Sequence, residues 1–211
     1  MSGGRILADI AAEISTCERC ALHASRKLPV PGEGPARAEV MFIGEGPGFY
    51  ENEQGRPFVG AAGQFLSQLL AQAELRRSEV WIGNIVKCRP PGNRDPLPEE
   101  LTVCGEFLER QIEAVNPSVI VTLGRCSLGR FLPGARIGSV HGTLHKAGSR
   151  YLIPMHPPAD ALTQSALKAA ILADFVKLPD LLKEVRAELG RAVSKPKTEY
   201  RKENLKQLSL F

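Results

Sequence analysis

Short apolar runs that alternate with helical segments constrain the fold of this chain more than any other feature. The runs at 39–43, 79–82, 118–123 and 151–155 are four to six residues long and have the composition of buried strands. Helical patterns at 4–16, 61–73, 98–115, near 127–131 and at 166–189 surround them, with Pro179 interrupting the last. This order predicts an α/β fold, a three-layer sandwich with a central, mostly parallel four-stranded sheet flanked by helices.

Two segments complete the predicted organisation. Residues 141–155 have the pattern of a hairpin whose second arm is the last strand. From residue 190 onward the composition turns polar and charged with almost no apolar content, which indicates a disordered basic tail. We therefore predict one α/β domain at 1–189 followed by a flexible tail at 190–211.

Charge and hydropathy exclude several classes of protein. The net charge is +4, and residues 191–206 alone hold six basic and two acidic residues, so the body is neutral. A neutral body argues against bulk attraction to nucleic acid, although a local basic rim remains compatible with it. No apolar stretch is long enough to span a bilayer, and the first fifteen residues lack the pattern of a signal peptide. We expect a cytoplasmic protein with no membrane association.

Polar residues follow three of the predicted strands directly. Glu45, Asn84 and His156 come after the first, second and last strands. In a parallel sheet, ligands bind beyond the carboxyl ends of the strands, so these three side chains should face one pocket. Each has an ordinary structural alternative, because a strand-end Asn is common in turns and a lone His is more often structural than catalytic.

The loops around this edge have the composition of a ligand-binding site. Gly44, Gly46 and Gly48 let the backbone approach a ligand closely, but Pro47 and the early third glycine do not fit a dinucleotide-binding turn. Phe58 lies in a rigid loop before a helix, where it is either a core aromatic or a platform for stacking a base. The carboxamide of Asn84 presents both a donor and an acceptor and can read a base edge.

Four cysteines form a candidate metal site. Cys17 and Cys20 make a CxxC pair, which gives two bonds to one metal centre, and Cys88 and Cys104 lie beyond the second strand. The spacing does not distinguish zinc from an iron–sulfur cluster. The alternative is four separate buried small residues, and Cys126 is assigned to packing. A redox dithiol is disfavoured because the CxxC pair precedes the first strand.

The ordered set of motifs resembles that of the family 4 uracil-DNA glycosylases, the iron–sulfur class of their superfamily. The motifs are CxxC, GEGPG, GRPFVG, NIVKCRPPGNRDPLPEE-x3-C and HP after the last strand, over roughly residues 10–180. The resemblance implies a 4Fe–4S cluster on Cys17, Cys20, Cys88 and Cys104. It also implies hydrolysis of the bond between uracil and the sugar in single- or double-stranded DNA, in a monomer associated with the nucleoid.

The resemblance further implies a role for each pocket residue. Phe58 would stack on uracil and Asn84 would pair with its O4 and N3–H edge, while Gly44, Gly46 and nearby amides contact the base. Glu51 would crowd the C5 position and exclude thymine, and Asn93 would form part of the wall. His156 would stabilise charge on the uracil O2, and Glu45 would position water or stabilise the sugar cation.

Two segments depart from the pattern of the resembling family. His156 is followed by Pro157-Pro158-Ala159-Asp160-Ala161-Leu162, which lacks the usual Leu-Arg wedge and leaves Leu162 as the candidate. Phe49 and Tyr50 replace an acidic pair. The altered loop motivates a second hypothesis, a non-catalytic uracil-DNA binding or clamp-adaptor module, and the cysteines motivate a third, an iron–sulfur electron carrier.

The last five residues resemble the pentapeptide that binds the bacterial sliding clamp. In this interpretation Gln207, Leu208, Leu210 and Phe211 dock into a hydrophobic pocket of the clamp at the end of a basic tether. The alternative is that the tail folds back on the body or has no role.

Overall fold

The computed structural model of the protein describes residues 2–190 and contains one five-stranded sheet. The strands are β1 (Val40–Gly44), β2 (Trp81–Asn84), β3 (Val119–Leu123), β4 (His145–Ala147) and β5 (Arg150–Met155), in the order β2-β1-β3-β5-β4. Four run parallel, and β4 pairs antiparallel with β5. The predicted α/β class is confirmed. The sheet has five strands instead of four because the first arm of the hairpin also pairs.

Helices cover both faces of this sheet. They are α1 (Gly3–Ser15), α2 (Phe49–Gln54), α3 (Ala61–Gln72), α4 (Pro98–Val115), α5 (Arg125–Phe131), α6 (Ile137–Val140), α7 (Asp160–Thr163) and α8 (Ser165–Glu188). Short 3-10 turns occur at Ala21–Ser25, Arg77–Glu79 and Pro91–Asn93. None of the described helices combines the length and apolarity that crossing a membrane requires.

Side chains that alternate along the buried strands contribute to two hydrophobic clusters, one on each face of the sheet. Phe42 and Val121 face α3 and α8, whereas Met41 and Ile120 face α4 and α5. Successive side chains of a strand point to opposite faces, so a continuous apolar run is what a doubly covered sheet requires. A third cluster joins α1 to α4 and contains Cys88 and Cys104. The cysteine region therefore has a hydrophobic cluster of its own, next to the two that cover the sheet.

Helix α8 continues through Pro179, so the predicted interruption is wrong. Proline removes one backbone donor and disfavours a helix interior. Here Phe175, Leu178, Leu182 and Val185 are buried on both sides of Pro179 and pack against the sheet. Packing of this apolar face outweighs the local preference of one residue.

The clamp-binding prediction for Gln207, Leu208, Leu210 and Phe211, like most of the predicted tail, lies outside the residues that the structure describes. It stays a prediction.

Candidate active site

A cavity of about 260 Å³ opens at the carboxyl ends of β1 and β2. The loops after β1, β2 and β5 build its walls, as expected for a parallel sheet. Every pocket residue predicted from the sequence except His156 lines it: Gly44, Glu45, Gly46, Glu51, Phe58, Asn84 and Asn93. Pro157, Pro158 and Ala159, which follow His156, line it too.

The end of β1 is shaped by the absence of a side chain at Gly44. A Cβ there would lie 2.4 Å from Asn84 Oδ1 and 2.7 Å from the Phe58 ring. Both distances are far below van der Waals contact. Gly44 is therefore what allows the carboxamide and the aromatic ring to converge on the strand end.

Asn84 ends β2 with a buried acceptor that the protein does not satisfy. The residue is 2% exposed, and its Oδ1 has no hydrogen-bond partner within the described residues. Its backbone carbonyl accepts from Lys87 Nζ at 2.7 Å, which anchors the residue. A buried acceptor without a partner costs free energy, so a group at this position of a ligand-sized cavity indicates a donor supplied by the ligand.

The Phe58 loop is held by Glu51. The Oε1 of this buried carboxylate accepts from the amides of Val59 and Gly60 at 2.8 and 2.9 Å. Phe58 itself adopts φ +51°, a left-handed conformation that bulky residues rarely take. Two charge-assisted bonds directly after it stabilise that conformation. Glu51 thus lines the cavity and also fixes the aromatic wall.

Glu45 is oriented by the first turn of α5. Its Oε1 accepts from the backbone amide of Cys126 at 2.7 Å. Gly124, with φ +114°, permits this approach, since a Cβ there would meet the same oxygen at 2.6 Å. A carboxylate at a helix N-terminus satisfies an otherwise unpaired donor and interacts favourably with the helix dipole. Sequence analysis assigned Cys126 to packing and missed this contact.

Burial and the neighbouring Glu45 carboxylate raise the pKa of the Cys126 thiol to about 11. Cys126 is therefore a neutral thiol at physiological pH, and its contribution to the pocket is its backbone amide.

His156 lies at the end of β5, directly before the residues that line the cavity. Its ring is 7% exposed and packs on His141 with centroids 4.8 Å apart and planes tilted by 52°. Within the described residues it forms no hydrogen bond, so its nitrogens remain available to a ligand. Burial, and secondly the proximity of His141, lower the pKa of His156, while Asp160 and Asp174 oppose this.

The rim of the cavity carries aromatic and basic groups. Asn93 (φ +56°) accepts from Arg89 Nε at 2.7 Å, and the Arg89 guanidinium lies 5.3 Å from the Phe49 ring centroid. Phe49 and Tyr50 are both exposed and contact each other edge to face. Leu162, in α7, is exposed as well. Phe49, Tyr50 and Leu162 therefore lie on the surface, whereas Pro158 and Ala161 of the segment after His156 are buried.

A second, smaller cavity lies between α1, α4 and the loop after β2. Cys17, Cys20, Cys88 and Cys104 all line it, as the sequence analysis anticipated for one metal centre. All four are free cysteines. Two donors already point at sulfur: the Lys87 amide lies 3.2 Å from Cys104 Sγ, and Arg26 Nη1 lies 3.4 Å from Cys88 Sγ.

Burial disfavours the thiolate form of Cys88 and Cys104. Burial raises the pKa of Cys88 and raises that of Cys104 to about 11, although Arg26 and Lys87, respectively, act in the opposite direction. Metal ligation displaces the thiol proton, and donors to sulfur stabilise the resulting charge. The donor set and its basic surroundings fit an anionic metal–thiolate centre.

In the part of the chain that the structure describes, only Glu45, Asp95 and Cys126 form a group of three or more metal-binding side chains whose ligand atoms lie within 4.8 Å. The four cysteines do not form such a group.

Comparisons with known proteins agree with this geometry. A family model described as the Uracil DNA glycosylase superfamily matches residues 31–179. The Type-4 uracil-DNA glycosylase of Archaeoglobus fulgidus is 42% identical over 184 residues, covering 83% of this chain and 92% of that protein. The Type-4 enzyme of Thermotoga maritima is 41% identical over 180 residues, covering 83% and 94%.

Proposed function

The chain belongs to the uracil-DNA glycosylase superfamily, and we propose that it excises uracil from DNA by hydrolysing the N-glycosidic bond, leaving an abasic site. The observation that carries this proposal is the unpartnered Oδ1 of Asn84, buried beside the Phe58 ring in a cavity at the edge of the sheet. A base inside a duplex is unreachable, so the substrate is an extruded nucleotide.

Asn84 supplies the selection for uracil. Its Oδ1 accepts from the uracil N3–H, and its amide nitrogen donates to O4. Cytosine presents an acceptor at N3 and a donor at N4, which reverses this pattern and leaves buried polar groups unpaired. Sites built on such pairing discriminate strongly, because the wrong ligand incurs the desolvation cost without its compensation.

Phe58 supplies the stacking surface for the base. Base–aromatic stacking contributes about 1–3 kcal/mol per base, which offsets part of the cost of extrusion. The Glu51 carboxylate fixes the adjacent loop through Val59 and Gly60, and its position on the cavity wall supports a role in crowding a C5 methyl group. Glu51 therefore both shapes the stacking wall and excludes thymine.

Glu45 and His156 supply the chemistry. The leaving uracil gains negative charge on O2, and the unpartnered imidazole of His156 donates a hydrogen bond to that oxygen. Glu45, held by the Cys126 amide, orients the attacking water or stabilises the sugar cation. Gly46 and its neighbouring amides contact the base, and Asn93 closes the wall beside Arg89.

Cys17, Cys20, Cys88 and Cys104 would hold a 4Fe–4S cluster. When bound, this group supplies four-thiolate cross-linking of α1, α4 and the loop after β2. The backbone amide of Lys87 and the guanidinium of Arg26 are directed at the sulfurs of Cys104 and Cys88, and both would stabilise the negative charge of such a centre. Glu45, Phe58 and Asn84 line the other cavity, and His156 directly precedes Pro157 of its wall.

The remaining context follows from the same proposal. The substrate is uracil-containing DNA, single- or double-stranded, and the protein acts as a monomer at the nucleoid. The sequence Gln207-Leu208-Ser209-Leu210-Phe211 attaches it to the bacterial sliding clamp.

The test is release of uracil from a labelled oligonucleotide containing one uracil, in single- and double-stranded form. The protein is expected to cleave uracil and to leave cytosine and thymine intact. Asn84→Ala should lower kcat/KM for uracil at least about 100-fold. Gln54→Ala, an exposed amide at the end of α2, is the matched control and should have no effect. Binding without base release would establish instead the non-catalytic module.

A further inference from the structure

We propose that His141 and Asp174 form a positioning pair that holds the His156 ring at the end of β5 during uracil excision. This inference rests on the proposed function and adds two residues to it. Neither lines the cavity, and neither contacts the base. Both would act only through His156.

The three side chains come from three different elements and form one contact chain. His141 directly follows α6, and its Nδ1 lies 2.6 Å from Oδ2 of Asp174 on α8. The His141 ring also packs against the His156 ring, with the two ring centroids 4.8 Å apart. Asp174 is 2% exposed, so the carboxylate is a fixed anchor and not a solvated surface group. A short bond to a buried carboxylate determines where the His141 ring stands.

The turn after His141 is shaped for this contact. Gly142 has φ +66°, and a Cβ there would lie 2.2 Å from Asp174 Oδ1. Its backbone amide donates to the carbonyl of Pro154, inside β5, at 2.8 Å. The turn is thereby tied to the same strand that carries His156. Asp174 can approach only because residue 142 has no side chain, which indicates a built arrangement.

The charged and titratable groups facing His156 are His141, Asp160 and Asp174. Burial is the largest influence and lowers the pKa of His156; a charge on His141 lowers it further, and the two carboxylates raise it. Burial also raises the pKa of Asp160, while the proximity of His156 lowers it. The balance leaves the imidazole neutral near pH 7.

A neutral imidazole suits the proposed role. Its N–H can donate to an oxygen that gains charge as the bond breaks, without a counter-ion pairing that would also stabilise the ground state. The His141 ring contributes in two ways, because it shields His156 from water and opposes a second positive charge beside it. Removing it should therefore make His156 easier to protonate.

The experiment is NMR titration of the imidazole groups, together with kcat and KM for a uracil oligonucleotide between pH 5 and 8. The chain has four histidines, so the signals can be assigned by single substitutions. In His141→Gln, we expect the His156 midpoint to rise by at least about half a pH unit. The acid limb of kcat should move up with it. At neutral pH kcat should fall about tenfold with little change in KM.

Asp174→Asn keeps the shape of the anchor and removes its charge. It should lower kcat and leave KM unchanged. The double variant His141→Gln/Asp174→Asn should have the same kcat as His141→Gln, because Asp174 acts through His141. His145→Gln is the control, since His145 lies on β4 and contacts Thr143 instead. It should leave the His156 midpoint in place.

An unchanged His156 midpoint in His141→Gln, or fully additive losses in the double variant, would overturn the positioning pair. The titration does not depend on catalysis. If the native protein released no uracil, the proposed function would be wrong. The shift of the His156 midpoint would still show whether His141 controls the charge of His156.

Discussion

Lys87 Nζ donates a hydrogen bond to the backbone carbonyl of Asn84 at 2.7 Å, which links the residue proposed to read the base to the cysteine cavity. The same ammonium donates to Gln111 on α4, also at 2.7 Å, and the backbone amide of Lys87 donates to Cys104 Sγ. Lys87 is fully buried, and burial lowers its pKa to about 8, an effect that Cys104 partly offsets. The two cavities therefore share one short, buried segment.

Substituting this link should affect both stability and excision. Lys87→Met leaves two buried acceptors, the Asn84 carbonyl and Gln111 Oε1, without their donor, at a cost of about 1–3 kcal/mol each. We expect a lower free energy of unfolding and a loss of kcat/KM, because Asn84 is no longer anchored. Denaturant unfolding and the excision assay measure the two effects. Lys183→Met, an exposed lysine paired with Asp180, is the control, and equal behaviour of both variants would contradict the link.

Gly44→Ala tests the convergence of Asn84 and Phe58 directly. The added methyl group would meet the Asn84 oxygen at 2.4 Å and the Phe58 ring at 2.7 Å, so one of them must leave the pocket. We expect kcat/KM for uracil to fall at least about 100-fold. Gly129→Ala in α5 is the control, because a Cβ there meets nothing within 4 Å and alanine favours a helix. Full activity of Gly44→Ala would mean that the strand end does not bind the base.

Glu100 should stabilise the cavity wall in a pH-dependent way. This carboxylate is 1% exposed and accepts two bonds from Arg94, at 2.7 and 2.8 Å, and one from the Leu97 amide. The bonds to Arg94 come first in lowering the pKa of Glu100. A lowered pKa means stability that is fully present above the ordinary value of 4.5 and lost as the pH falls through the folded-state value.

Glu100→Gln should therefore lower the free energy of unfolding by about 1.5–3 kcal/mol at pH 7. The difference from the native protein should shrink to near zero in acid. Urea unfolding at pH 7 and at pH 3.5 measures it. A difference independent of pH would show that the carboxylate charge does not matter.

The fold was more predictable from the sequence than the contacts within the site. The strands were predictable because a doubly covered parallel strand is a continuous apolar run, which is a local signal. The shared position of Glu45 and Asn84 followed from one topological rule. Helix α2 was missed, although Gly55, left-handed at φ +68° after its last residue, is the usual end signal of a helix.

The contacts that orient the catalytic candidates were not predictable. Glu45 meets Cys126 and His141 meets Asp174 across 81 and 33 residues, and neither pair has a spacing that marks it. Such contacts depend on how the helices pack at the edge of the sheet. No local sequence pattern predicts that packing. His156 likewise occupies the predicted edge, but it lies behind Pro157 and does not line the cavity.

The cluster proposed on the four cysteines can be tested by measuring the iron content of the protein. The protein purified without oxygen should carry about four irons per chain and absorb broadly in the visible range. Cys88→Ser should lose most of the iron and unfold at a lower temperature, since α1 and α4 lose their cross-link. Cys126→Ser is the control, because Cys126 lies at the other cavity, and it should retain the iron. Stoichiometric zinc in place of iron would refute the cluster.

The C-terminal pentapeptide makes a prediction that is independent of the pocket. Deleting residues 207–211 removes the apolar anchors of the proposed clamp contact but none of the residues that line either cavity. Binding to a purified bacterial sliding clamp should therefore be lost, while kcat/KM on a short uracil oligonucleotide stays unchanged. Leu210→Ala/Phe211→Ala should reproduce the loss, because hot-spot anchors carry most of the affinity of such peptides. Lys206→Ala retains both anchors and should bind nearly as the native chain does, whereas undiminished clamp binding by the truncated protein would assign the contact to another surface.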